Sequence, residues 1–280
     1  MKFAIIGGTH GNEPVGIKVV EQLKNDLETL SFSHDYQTFI GNPEAQKIQK
    51  RYVDSDLNRA FGPHGQSKGY ETNRSQELTE KIKGHFDFIL DLHTTTSNMG
   101  LTVILTRTDE LSLKAACFLQ QEIPELKIIV SMRAGEDCPY TSSLAPSALT
   151  VEVGPVANNV VATKLVKATY SMVTKLLNFD FKKDFNYKDI ECYHVYGVQP
   201  YPEESPEGPS NEWMIDDRID GHDFCEIKSG DVLFTTIHGE VIKYEGDQVI
   251  SPLFINEAAY QENNTAMEVG LKKSLAEALS

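Results

Sequence analysis

The densest chemical signal in the chain is GGTHGNE, where His10 and Glu13 stand three residues apart. Zinc in hydrolases takes three protein ligands, imidazoles and carboxylates, and keeps one position for water. His10 and Glu13 supply one ligand of each kind from a single turn of chain, and the third must come from elsewhere. His93, in DLHTTTSNMG at the end of an apolar run, is the candidate. A bare H-x-x-E arises often by chance. A second histidine just past a core strand, flanked by Asp91 and threonines, is what gives the pair weight. His34, His64, His85, His194, His222 and His238 read as surface or hydrogen-bonding residues.

Glu152 lies between Val151 and Val153 in TVEVG. One reading is an alternating strand with a solvated carboxylate. The other is a general base that accepts a proton from an attacking water, with partial burial raising its pKa toward neutrality. In RYVDSDLNRAFG, Arg51 suits polarising a scissile carbonyl and stabilising the oxyanion that forms. Arg59, helped by the Asn58 amide, suits a two-pronged grip on a substrate carboxylate. A surface loop with ordinary ion pairs is the plainer alternative for that segment.

Composition sets the limits. The chain has 280 residues, 40% hydrophobic and 24% charged, enough for an ordinary core and no sign of disorder. No apolar run approaches the roughly 20 residues of a spanning helix, and MKFAIIGG is too short for a signal peptide, so cytoplasm is the default expectation. Cys117, Cys138, Cys192 and Cys225 form no C-x-x-C pair, which argues against a disulfide scaffold or a cysteine zinc site. A net charge of −15 makes nucleic acid an unsuitable partner. Against that background there are six arginines, and Arg51 and Arg59 fall close together, as a small anionic substrate would require. Self-association is left open.

The elements needed to position these residues follow from periodicity. Strands are expected over 2–7, 85–93, 101–106, 126–130 and 148–154, and helices over 15–30, 74–84, 111–120 and 158–177. Alternating strands and helices imply an α/β fold with a mostly parallel sheet, whose ligands sit beyond the carboxyl ends of the strands. His10, His93 and Glu152 all fall at such ends. After about residue 180 aromatics and prolines accumulate and short β-like stretches appear. The expected division is a catalytic α/β domain over 1–185 and a smaller β-rich region over 186–280.

Taken together, GGTHGNE, RYVDSDLNRAFG, DLHTTTSNMG, VEVGP and FINEAAY resemble the blocks of the succinylglutamate desuccinylase/aspartoacylase family, in family order and over nearly the whole chain. DLHTTTSNMG is similar to the aspartoacylase form. The resemblance implies a zinc carboxypeptidase-like fold with a β-rich C-terminal domain capping the active-site channel. It implies one zinc per chain on His10, Glu13 and His93, with Glu152 as general base and Arg51 on the acyl carbonyl. Asn58 and Arg59 would hold the α-carboxylate, and Tyr260 would touch substrate. The implied reaction is hydrolysis of an N-acyl amino acid, with N-acetyl-L-aspartate as leading substrate. Deacylation of aromatic or N-succinyl amino acids is the nearest alternative, ahead of a zinc carboxypeptidase or a non-catalytic binding module. Two positions depart from the pattern. Ser142 stands where an arginine reading the aspartate side chain would fall, and Asn264 lies near the place of an expected lysine. Arg133 and the hydroxyls of Tyr140, Thr141, Ser142 and Ser143 are the candidate replacements.

Overall fold

The computed structural model describes residues 1–27, 29–131, 138–202 and 213–280. Phe3 and Ile5 face one side of the first strand while Ala4 and Ile6 face the other, and all four are fully buried. Such a strand must lie inside a sheet covered on both faces, which is why it reads as a continuous apolar run. The elements follow in the order β1 (Lys2–Gly7), α1 (Pro14–Asp26), β2 (Asp35–Ile40), α2 (Pro43–Lys47), α3 (Tyr70–Ile82), β3 (Phe88–Thr94) and β4 (Gly100–Leu105). Then come α4 (Glu110–Glu122), β5 (Lys127–Val130), β6 (Ser147–Gly154), α5 (Thr163–Leu177) and β7 (Glu191–Pro200). The chain continues through β8 (Met214–Ile215), β9 (Val232–Thr235), β10 (Val241–Lys243), β11 (Ser251–Leu253), β12 (Thr265–Ser274) and α6 (Leu275–Ala278).

One nine-stranded sheet runs β11-β12-β7-β5-β4-β6-β3-β1-β2. The pairs β2/β1, β1/β3, β3/β6, β4/β5 and β5/β7 are parallel, while β4/β6, β7/β12 and β11/β12 are antiparallel. This is the mixed, mostly parallel sheet expected for the fold. Val19, Leu23, Cys117, Val173 and Leu176 of α1, α4 and α5 bury one face of it. Leu78 and Ile82 of α3, with Leu57 and Phe61, bury the other. A separate core of Ile215, Ile227, Phe234, Ile250 and Met267 lies under the three-stranded sheet β10-β9-β8. The C-terminal region does more than pack on the catalytic sheet: β7, β12 and β11 hydrogen-bond into it through β5.

Some expected boundaries shift. Helix α1 stops at Asp26 rather than at residue 30, and Leu27 and Leu30 are half exposed, so their spacing did not report a buried stripe. β2 was not foreseen, because DYQTFI is an edge strand whose outer side meets water and carries polar residues. Among the described residues, no helix is long and apolar enough to cross a membrane.

Candidate active site

The chain leaves β1 at Gly7 and turns through Gly8, whose φ of +70° suits glycine. A Cβ on Gly11 would lie 2.1 Å from the carbonyl carbon of Ala45, so only glycine fits between His10 and Glu13 as the loop crosses α2. Glu13 N donates to His10 O at 3.2 Å, closing the turn, and Pro14 opens α1. Gly11 N donates to Arg51 O at 3.1 Å, which draws the RYVDSDLNR segment alongside. That segment is shaped by Glu71 of α3. Its buried carboxylate accepts from Val53 N, Asp54 N, Ser55 N and Asn42 Nδ2 at 2.8–3.2 Å.

His93 arrives from the end of β3, which lies beside β1 with Leu92 opposite Gly7. His10 Nδ1 is 2.6 Å from Glu13 Oε1, His93 Nδ1 is 3.0 Å from Glu13 Oε2, and the two Nδ1 atoms are 3.2 Å apart. Among the described residues these three buried side chains form the group able to hold a metal, with one ligand atom from each within 4.8 Å of the others. The far ring nitrogens are both anchored. His10 Nε2 meets Asp56 Oδ1 at 3.0 Å and His93 Nε2 meets Asp91 Oδ2 at 2.8 Å. A carboxylate behind each imidazole leaves the Nδ1 lone pair to point forward, as a ligand requires. Imidazole, carboxylate and imidazole converging from anchored supports is a donor set that fits zinc.

The charges agree. Burial alone would raise the Glu13 carboxyl, but His10 and His93 outweigh it and hold it well below the usual carboxylate range. Burial likewise opposes ionisation of Asp56, yet His10, Arg51 and Arg59 keep it low. Burial works against a charged His93, but Asp91 and Glu13 raise it well above the ordinary histidine value. A cation at this point competes with that proton. Asp91 is itself fixed by the Thr9 hydroxyl at 2.7 Å and by the Thr141 hydroxyl.

Glu152 sits in β6 directly opposite His93 in the parallel β3/β6 register, so both side chains leave the same face of adjacent strands. It lines the pocket with the three candidate ligands. Desolvation there pushes its carboxyl well above the usual range, reinforced by Glu13 and Glu257 and opposed by His93 and Arg51. Arg51 reaches the same space, with Nη2 3.1 Å from Asp56 Oδ2 and Nη1 3.4 Å from Glu13 Oε1.

Asp56 caps the short 3-10 turn Leu57–Arg59 through Asn58 N at 2.8 Å. Asn58 Oδ1 accepts from Thr141 N at 3.0 Å, which leaves its amide hydrogens as donors toward the pocket it lines. The Arg59 guanidinium lies 5.1 Å from the centre of the Tyr140 ring, and Nη1 donates to Asn58 O at 2.8 Å. Tyr260 closes the pocket from the C-terminal region. Its hydroxyl donates to Glu268 Oε1 at 2.8 Å, and burial with that neighbour raises its pKa well above the ordinary tyrosine value. The structure therefore brings His10, Glu13, Arg51, Asn58, Arg59, His93, Glu152 and Tyr260 around one pocket.

The replacements suggested for the missing arginine fare differently. Ser142 is fully buried and is not among the residues lining the pocket; it accepts from the hydroxyl of Thr106, which is, at 2.8 Å. Thr141 is taken by Asp91, and Ser143 donates to Tyr140 O. Of the four hydroxyl residues, Tyr140 alone lines the pocket. Asn264 is turned toward Tyr201 O. Arg133 lies outside the described residues. Four carboxylates that line the pocket or brace its residues escaped the sequence reading: Asp56, Glu71, Glu257 and Glu268. Glu257 is buried and accepts from the Thr95 hydroxyl, Thr96 N and the Thr96 hydroxyl, tying the loop after His93 to the C-terminal region. Glu268 interrupts the apolar pair Met267 and Val269, a charge amid core residues, which was the available signal.

Residues 1–179 match the family model of the succinylglutamate desuccinylase/aspartoacylase catalytic domain, and residues 188–271 match that of the AstE/AspA barrel-sandwich hybrid domain. A probable aspartoacylase of Trichodesmium erythraeum is 36% identical over 98% of each chain. The N-acyl-aromatic-L-amino acid amidohydrolase (carboxylate-forming) B of Danio rerio is 32% identical over 97% of this chain and 93% of its own. Among solved structures, murine aminoacylase 3 superposes with a TM-score of 0.86 at 29% identity, covering 97% of this chain and 95% of that one.

Proposed function

Because the chain belongs to the succinylglutamate desuccinylase/aspartoacylase family, an amidohydrolase family by its relatives, we propose that it hydrolyses the amide bond of a small N-acyl amino acid, with one zinc ion per chain held by His10, Glu13 and His93. The observation that carries this reading is the convergence of those three side chains beside Glu152, set opposite His93 by strand register. Zinc in such a site lowers the pKa of a coordinated water and polarises a carbonyl. Glu152, raised by its surroundings, takes the proton of the attacking water and returns it to the leaving amine. Arg51 turns its donors to the oxygen that becomes negative as the carbonyl is attacked. Asn58 and Arg59 hold the α-carboxylate, which fixes the amide over the reacting groups. Tyr260 bounds the substrate from the C-terminal side.

N-acetyl-L-aspartate is supported as substrate by the similarity to a probable aspartoacylase. A neutral, aromatic side chain is the second reading, supported by Ile104, Ile129 and Phe254 in the pocket wall and by the similarity to an aromatic amidohydrolase. The test is release of free amino acid from a panel of N-acyl amino acids, before and after chelation and after zinc is restored. Chelator-sensitive turnover restored by zinc is expected. Turnover that ignores the chelator, or none across the panel, would refute the proposal.

A further inference from the structure

Resting on the deacylase reading, we infer that Glu71, which does not line the pocket, is the positioning residue that holds the Asn58 and Arg59 clamp in register with the metal-binding loop. Its side chain is fully buried, and each carboxylate oxygen takes two donors. Oε1 accepts from Asn42 Nδ2 at 2.9 Å and Val53 N at 2.8 Å, and Oε2 from Asp54 N at 3.0 Å and Ser55 N at 3.2 Å. Three successive amides aimed at one side chain fix the backbone through 53–55, and the next residue is Asp56. Asp56 in turn meets His10 Nε2, Arg51 Nη2 and Asn58 N. The fourth donor belongs to the other neighbour of the metal site. Asn42 N donates to Gly8 O at 2.7 Å, and its Oδ1 caps α2, whose Ala45 backs Gly11. One carboxylate thus spans the segment that carries the clamp and the segment behind His10 and Glu13.

The clasp is closed from the other side as well. At the start of α3, Asp54 Oδ2 accepts from Tyr70 N at 2.7 Å and Ser55 Oγ accepts from Lys68 N at 3.0 Å. Gly69 passes so close that a Cβ there would fall 2.0 Å from Asp54 Oδ2, and its φ of +61° suits glycine. A carboxylate serves all four donors because it only accepts, whereas an amide has one oxygen and two hydrogens. Whichever way it turns, Glu71→Gln sets its amide hydrogens against either Asn42 Nδ2 and Val53 N or Asp54 N and Ser55 N. Buried donors left without acceptors are penalised, so the segment should shift. His10, Glu13 and His93 depend on β1 and β3 instead, so zinc binding should survive.

The experiment takes the best-hydrolysed N-acetyl amino acid of the panel and the same compound with a carboxamide in place of its α-carboxylate. It compares kcat and KM of zinc-loaded wild type and Glu71→Gln, well below their melting temperatures. Wild type should favour the carboxylate. Glu71→Gln should lose about 10- to 100-fold of that preference, chiefly through a higher KM for the carboxylate, the scale of a clamp displaced by ~1 Å. Its zinc content should match wild type, and its amides over 53–55 should exchange faster with deuterium. A role in stability alone would lower the melting temperature and leave the preference untouched, and that result overturns the inference. Asp54→Ala, an exposed position on the other half of the clasp, should shift the preference the same way by less. It carries the test where Glu71→Gln does not fold, and an unchanged preference there overturns the inference too. Equal turnover of acid and amide by wild type would remove the clamp, and the inference with it. Turnover of no N-acyl amino acid by wild type would refute the deacylase reading itself.

Discussion

On one side of the pocket His10, Glu13, Arg51, Asn58, Arg59 and His93 come from two short loops and one strand end, and the imidazoles, Arg51 and Asn58 are tied to a carboxylate or a backbone group. On the other side Ile104, Ile129, Thr150, Phe254 and Glu268 come one by one from β4, β5, β6, the stretch after β11, and β12. The first side is dense in charge and held rigidly by anchored polar groups. The second draws on separate strand positions that bring apolar side chains into the lining. Chemistry needs atoms fixed within fractions of an ångström, so its residues are cross-braced. Selectivity needs only the right surface, so it can be drawn from many strands.

If the two sides divide the work this way, their substitutions should fail differently. The largest effect belongs to the ligands. His10→Ala, Glu13→Ala and His93→Ala should each lose both bound metal and turnover, since a site deprived of one of three ligands competes poorly for the ion. Metal analysis beside activity checks this, and a ligand variant that stays active without metal would break the comparison. Next is Glu152→Gln, which should keep metal and substrate affinity while kcat falls about 10²–10⁴-fold, because an amide accepts no proton. Near-normal kcat would return Glu152 to the status of a strand carboxylate.

Smaller effects separate the arginines. Arg59→Ala should mainly raise KM, because a grip on a spectator carboxylate acts in ground and transition states alike. Arg51→Ala should mainly lower kcat, because its donors matter most as the oxyanion forms. Steady-state kinetics with the two phenotypes exchanged would reverse the assignment. The smallest effect lies outside the pocket, where the loop after β3 meets the C-terminal region. Asp223 accepts from Asn98 N and Ile255 N at 3.0 Å, and burial, opposed by such amides, raises its carboxyl to about 6. The folded protein therefore holds a proton that the unfolded chain releases near its ordinary value. That stability is complete below the unfolded pKa and is lost as pH rises through about 6. Relative to wild type, Asp223→Asn should gain stability from about pH 4 to pH 7, by on the order of 2 kcal/mol, read as a difference in melting temperature that grows over that range. A difference flat with pH would remove Asp223 from the account.

The side built around His10, Glu13 and His93 was legible because its residues recur in short, unusual strings. His10 and Glu13 share one turn, and Arg51, Asn58 and Arg59 share one loop, so sequence spacing mirrors spatial spacing. The central strands were legible for a related reason, since burial on both faces leaves apolar runs such as FAII and FIL. Edge strand β2 and the opposite wall were not. Ile104 and Ile129 look like any core isoleucine, and only the sheet order sets them beside Glu152. Ser142 shows the limit of arguing by position, for it occupies the place of an expected arginine yet is buried behind the pocket-lining Thr106. Glu268 could be singled out as a charge between core residues, but its neighbour Tyr260 lies across a turn that periodicity does not describe.

The central claim is that His10, Glu13 and His93 assemble a working metal centre beside Glu152. Titrating zinc into metal-stripped protein while following acyl-group release tests it most directly. Activity should be negligible without metal, rise in proportion to added zinc and level off at about one equivalent per chain, as a single three-ligand site requires. Full activity in the metal-stripped protein, or a rise unrelated to one equivalent, would contradict it.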